Sequence, residues 1–240
     1  MTPDLISGYT MDYITQGFIQ AIRLLFSGDA QTYSAIFTTL KVSTLSISIS
    51  LLIGIPLGFL LGYFTFPGKR QCRAVVDSLL ALPTVVVGLL VYAFITRRGP
   101  LGEFGLLFTI PGIAIAQTIL VTPIVISLTA TAIESLDRRL RANLLTLGAQ
   151  GKQIAITSLL EARYAVLTAG VTAYGRAISE VGISMMIGGN IKWHTRTITT
   201  AIALETGKGQ FAMGMALGIV LLAIAFTINA AISSLKRKSA

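Results

Sequence analysis

The chain has 240 residues, 53% of them hydrophobic and only 12% charged, with a mean hydropathy of +0.77; this balance excludes an ordinary soluble domain and points to a protein embedded in a bilayer. A formal net charge of +9 would suit nucleic acid, but the basic residues lie in short intervals between apolar runs rather than along one polar face, so topology accounts for them and no nucleic-acid partner is expected. Cys72 and His194 are each the only residue of their kind, which leaves neither an internal disulfide nor a cysteine and histidine metal site.

The first residues, MTPDLISGYTMDYI, lack a basic n-region followed by an apolar core and a small-residue cleavage site, so no removable signal is expected. Within residues 1–30, Met11 to Ser27 places Ile14, Phe18, Ile22 and Leu25 at spacings of three and four. That pattern predicts an amphipathic helix, too short and polar to span, lying at the membrane interface or against the bundle. Ser27-Gly28-Asp29 ends it and supplies a cap for the next helix.

Residues 31–240 read as one transmembrane domain. Ala35 to Phe64 is long enough to cross about 30 Å of hydrocarbon at about 1.5 Å per residue, with Lys41 as its only charge and Pro56 inside. A second span is predicted from about Val75 to Thr96 around Pro83, and a third from about Phe108 to Ile133 around Pro123. Each proline frees a backbone carbonyl, as a simple kink in a packed bundle or beside a helix-lined path. The fourth span is predicted over Tyr164 to Ile187 and the fifth over Phe211 to Leu235, with Ala169-Gly170 and Gly214 to Gly218 small enough for close helix packing.

Lysine and arginine orient these five spans. With the C-terminal Lys236-Arg237-Lys238 cytoplasmic, Lys69, Arg70, Arg73 and the basic residues of 137–163 fall on the same side. The N-terminus is then outside, together with Arg97, Arg98, Lys192, His194 and Arg196. These five make the outer mouth positive, which favours anions; solvated loops or contacts with a binding protein explain them equally. Trp193 reads as an interfacial anchor.

The interval 137–163, DRRLRANLLTLGAQGKQIAITSLLEAR, separates the third and fourth spans. Leu140, Leu144 and Leu147 recur at four and three and predict an apolar stripe, and Gly148 and Gly151 permit a turn before the apolar text resumes. Such a helix suits the groove of a partner, and it is also what a positive cytoplasmic loop looks like. A GxxxxGK[ST] phosphate loop is missing, because Gln153 follows Gly151-Lys152. No catalytic residues are expected, and any ATP is bound by another chain.

Arg176 and Glu180 are the conspicuous ionisable residues at membrane depth, four apart on one predicted helical face. They make either a structural ion pair or a pathway or gate element that meets an anion.

The text ANLLTLGAQGKQIAITSLLEA resembles the cytoplasmic EAA loop of ABC importer permeases. Aligned on Gly148, that loop's pattern is matched outright at Gly148 and Leu160, while its glutamate and proline are absent. The resemblance implies ATPase coupling through Ala142, Asn143, Leu144, Leu147, Gly148, Ala149 and Leu160. Arg176-Ala177 with Glu180 and Gly182, followed by Gly188-Gly189-Asn190, is similar to the RAxxExG and GGN segment of molybdate and tungstate permeases. Thr199 to Thr206 resembles the tungstate-type branch in particular.

What the resemblance implies is an all-α integral membrane protein with five transmembrane helices plus an N-terminal amphipathic helix, the fold of an ABC importer transmembrane domain in the cytoplasmic membrane. Its partners would be cytoplasmic ATP-binding subunits, an extracytoplasmic oxyanion-binding protein and a second copy of itself, with no cofactor. Its cargo would be a tetrahedral oxyanion, tungstate first, with molybdate or sulfate as alternatives. A channel independent of ATPase, or a membrane-embedded enzyme, are the rival readings from other classes.

Overall fold

The computed structural model describes residues 17–23 and 26–238 together with Thr15, and among the described residues no strand occurs. Among the described residues, after the helical segment 17–23, ten α-helices follow one another: α1 (Ala30–Tyr63), α2 (Lys69–Leu79), α3 (Thr84–Ile95), α4 (Ile110–Glu134), α5 (Arg138–Thr146), α6 (Gly151–Glu161), α7 (Arg163–Ile178), α8 (Gly182–Gly188), α9 (Ile198–Gly207) and α10 (Phe211–Lys238). The chain forms two compact units, one of residues 1–43, 88–116 and 178–240 and the other of residues 44–87 and 117–177.

Among the described residues, three helices are long and apolar enough to cross a membrane unaided: α1, α4 and the part of α10 from Phe211 to Ala230. They correspond to the first, third and fifth expected spans, and Pro56 and Pro123 lie inside helices that continue through them. The second span is interrupted. Residues 80–83 separate α2 from α3, whose axes differ by 95°, and Pro83 precedes the first residue of α3, where a missing N–H costs nothing. Its carbonyl accepts the N–H groups of Val86 and Val87 at 3.0 and 3.2 Å.

The fourth span also differs from the expected Tyr164 to Ile187, because the helix stops at Ile178 and resumes at Gly182. Instead α6 and α7, bent by 57°, together meet the length and hydropathy of a span. Each bent pair counted as one crossing raises the number from three to at most five. Helix α9 lies in text expected to be a connection; Thr197 caps it by accepting the Thr200 N–H, and Thr200 Oγ1 reciprocates on the Thr197 N–H at 3.0 Å.

In the first unit, Ala21, Ala35, Ile198, Ala201, Ala216, Leu217 and Val220 form a buried apolar cluster. Asp29 caps α1 as expected, taking the Thr32 N–H at 2.8 Å and the Thr32 hydroxyl at 2.6 Å. The segment 17–23 is helical but packs by another face than the apolar stripe suggests. Ala21 is buried and a Cβ on Gly17 would stand 3.0 Å from Met215 Sδ, whereas Phe18 and Ile22 are exposed. Small residues let the backbone approach, and the larger ones face outward. Ile14 and Leu25 of that stripe lie outside the described residues.

The second unit is built on the α1 and α4 pair. Gly54, Gly58 and Gly62 recur every four residues along α1, and Cβ atoms there would stand 2.8 Å from Val125 Cβ, 2.6 Å from the Ile126 carbonyl and 2.6 Å from the Ala130 carbonyl. Towards the other end of this seam, Thr118 Oγ1 donates to the Ser46 carbonyl at 3.3 Å and Thr122 Oγ1 to Ser50 Oγ at 3.2 Å. Small residues and hydroxyls thus replace large side chains where two helices meet closely. The packing named at Ala169-Gly170 and Gly214 to Gly218 is uneven: a Cβ on Gly214 would stand 2.6 Å from Thr206 Oγ1 and one on Gly170 3.3 Å from Leu51, both tight, whereas Gly218 has nothing within 4 Å.

Candidate coupling and gating sites

The polar interval folds as two short helices joined by an elbow. The Asp137 side chain caps α5 by accepting the Arg139 N–H at 2.9 Å. At the other end Gly148 takes φ +78°, with its N–H on the Leu145 carbonyl and the Ala149 N–H on the Leu144 carbonyl, both at 3.0 Å. This paired closure uses a residue in the left-handed region, which glycine enters without steric cost. The Gln153 side chain accepts the Gln150 N–H at 2.8 Å and starts α6.

The expected stripe Leu140, Leu144 and Leu147 divides. Leu140 and Leu144 are half-buried, while Leu147 is 81% exposed and Leu145, which the spacing did not single out, is 55% exposed. Ala142, Asn143, Gly148, Ile156 and Leu160 are also exposed and Ala149 is half-buried; Ile154 and Ser158 turn inward. Burial of one side and exposure of the leucines beside Gly148 leave an apolar edge on the elbow. Behind it a cavity of about 380 Å³ is lined by Gly62, Tyr63, Thr65, Ile133, Glu134, Leu136, Asp137, Leu140 and Ser158.

Arg176 and Glu180 do not share a helical face. Arg176 is half-buried in the last turn of α7, where a cation suits the helix dipole; Glu180 lies beyond the end of that helix, in the first unit. It is only 3% exposed, and its Oε1 accepts the Ile183 N–H at 3.2 Å. Its carbonyl accepts Thr199 Oγ1 at 2.9 Å and Ser184 Oγ at 3.4 Å. The side chain thereby takes up a free N–H at the start of α8, and α9 is tied to the same residue. The neighbouring Ile198 N–H donates to Thr39 Oγ1 of α1 at 2.9 Å. Threonines at 195, 197, 199 and 200 are all buried; of these the sequence reading named only Thr199 and Thr200, by resemblance, because an isolated hydroxyl carries no period.

Gly188-Gly189-Asn190 closes α8 and opens a tight loop. Gly189, at φ +66°, is covered by Phe108, whose ring carbon would be 2.7 Å from a Cβ there and whose N–H donates to the Ile187 carbonyl at 2.8 Å. The Ile191 carbonyl receives the N–H groups of His194, Thr195 and Arg196. Arg196 Nε donates to Asn190 Oδ1 at 3.1 Å, so this cation is committed to the loop. Arg97, Arg98, Lys192 and His194 are exposed. Phe108 and Trp193 hold φ +61° and +68°, a conformation that bulky side chains adopt only under constraint.

Residues 54–238 match the family model described as binding-protein-dependent transport system inner membrane component. The tungstate uptake system permease protein TupB of Campylobacter jejuni is 50% identical over 227 residues, with 95% of each chain covered. TupB of Peptoclostridium acidaminophilum is 42% identical over 228 residues, covering 95% of this chain and all of its own. Among solved structures, a bacterial ABC transporter involved in the import of the acidic polysaccharide alginate superposes with a TM-score of 0.75 at 20% identity, over 96% of this chain and 89% of that one. The helical fold is thus that of ABC transporter membrane subunits, and the chain belongs to the family of binding-protein-dependent transport system inner membrane components.

Proposed function

We propose that this chain is the permease subunit of an ATP-driven importer that carries tungstate across the cytoplasmic membrane. The observation that carries the reading is its 50% and 42% identity, over 95% of its length, to two tungstate uptake permeases. Two copies form the path, a cytoplasmic ATP-binding subunit docks on the α5–α6 elbow of each, and an extracytoplasmic oxyanion-binding protein delivers the cargo. Five crossings follow when α2–α3 and α6–α7 each supply one, the α6 end of the latter pair lying at the cytoplasmic surface, with the N-terminus outside and the C-terminus cytoplasmic.

In this reading Gly148 shapes the docking elbow, and Leu145, Leu147 and Leu160 supply its apolar surface. ATP-driven closure of the partner subunits biases the path between two global states. Glu180 acts at the gate by fixing α8 and α9, and Arg176 contributes positive charge to the path. The test is uptake of labelled tungstate by vesicles holding the assembled complex, with unlabelled tungstate, molybdate and sulfate as competitors. ATP-dependent uptake suppressed best by tungstate supports the proposal; molybdate or sulfate as the stronger competitor assigns the cargo otherwise, and uptake without ATP or ATPase refutes the importer.

A further inference from the structure

The second unit contains a polar seam that the elbow's docking surface leaves unused. Lys69, Arg73 and Asp77 recur every four residues along α2, and Ser127, Thr131 and Glu134 recur at four and three along α4. The two stripes meet in antiparallel order. Lys69 Nζ is 3.0 Å from Glu134 Oε1 and Arg73 Nη1 is 3.5 Å from Glu134 Oε2. Arg73 Nη2 donates to Thr131 Oγ1 at 2.7 Å, Ser127 Oγ donates to Asp77 Oδ1 at 2.8 Å, and Arg73 Nε donates to Asp77 Oδ2 at 3.1 Å. Lys69 Nζ also donates to the Gly62 carbonyl at 3.2 Å in the last turns of α1.

Helix α2 has no buried residue; Val75 and Leu79 are exposed and Val76 is half-buried. Polar bonds rather than apolar burial therefore hold it on α4. Glu134 ends α4 three residues before Asp137, the cap of α5, and both residues line the cavity behind the elbow. That cavity leaves α5 room to shift.

We propose that Glu134 is a positioning residue for energy coupling: with Lys69 and Arg73 it latches α2 to the end of α4 from which the elbow departs, so that displacement of the elbow carries α2 with it. The proposal rests on reading the elbow as the docking surface for an ATP-binding subunit. The side chains of Lys69 and Glu134 are 25% and 38% exposed, and ion pairs this accessible are screened and readily remade.

The test uses the complete complex in proteoliposomes and reads tungstate transported per ATP hydrolysed, beside assembly with the ATP-binding subunit. Glu134→Gln is expected to assemble and hydrolyse ATP while the transported ratio falls about five-fold or more, and Glu134→Asp, which keeps the carboxylate, restores most of it. Thr131→Val removes only the hydroxyl that receives Arg73 and is expected to lower the ratio by a smaller amount, which keeps the proposal testable if Glu134→Gln fails to fold. An unchanged ratio in assembled Glu134→Gln, or in Thr131→Val where Glu134→Gln does not fold, overturns the latch. Failure of the docking reading shows separately, as retained assembly and transport in the double variant Leu144→Asp, Gly148→Asp.

Discussion

Gly58 of α1 faces Ile126 of α4 so closely that a Cβ at position 58 would stand 2.6 Å from the Ile126 carbonyl oxygen. Backbone cannot yield as a flexible side chain does, so the pair fixes the separation of the two helices.

Gly58→Ala is therefore expected to destabilise the protein by about 1–3 kcal/mol through overpacking. Gly218→Ala, at a position with nothing within 4 Å, is expected to change stability by no more than about 0.5 kcal/mol. Thermal unfolding of the purified variants in one detergent checks both, and equal effects would contradict the close seam.

Gly148→Ala tests the elbow by conformation alone, since φ is +78° and no atom lies within 4 Å of the missing Cβ. The left-handed region costs an alanine roughly 1 kcal/mol. Affinity for the ATP-binding subunit is expected to fall about five-fold, with a smaller loss for Gly148→Asn because asparagine tolerates that region better. Titration of the ATP-binding subunit onto nanodisc-held permease measures it, and identical affinities would show that the turn's geometry does not matter to docking.

Glu180→Ala is expected to abolish most uptake at normal expression. It removes the acceptor of the Ile183 N–H in a site only 3% exposed, and a buried donor left unsatisfied costs about 1–3 kcal/mol. Glu180→Gln keeps an acceptor oxygen and is expected to retain more of it. Wild-type uptake by the alanine variant would remove Glu180 from the gate.

The sequence made the long apolar helices readable because their text is continuous: α1, α4 and α10 each stand close to the expected span. The breaks were harder. Pro83 in apolar text is compatible with a kink or a helix start, and only its neighbours decide between them. The end of α7 at Ile178 has no glycine or proline to announce it; Glu180 is bound instead by Ser184 and by Thr199, nineteen residues away, a contact no local period encodes. Gly54, Gly58 and Gly62 did carry a readable four-residue rhythm, and it was missed beside the richer small-residue text of the later spans. Lys69 and Arg73 entered only as topology charges, because their partner Glu134 lies more than sixty residues further on. At the elbow, Gly148 was legible as a turn, but which leucines face outward depends on where α5 rests, so Leu145 went unnoticed.

Entry of energy through the elbow around Gly148 requires Leu147 to touch the ATP-binding subunit, and a photoreactive residue in place of Leu147 reports that contact. Irradiation of the assembled complex is expected to join position 147 to the ATP-binding subunit, and the same probe at the exposed Leu222 of α10 to leave that subunit unlabelled. No adduct from position 147 in a complex that still transports tungstate would show that the elbow is not where the ATP-binding subunit docks.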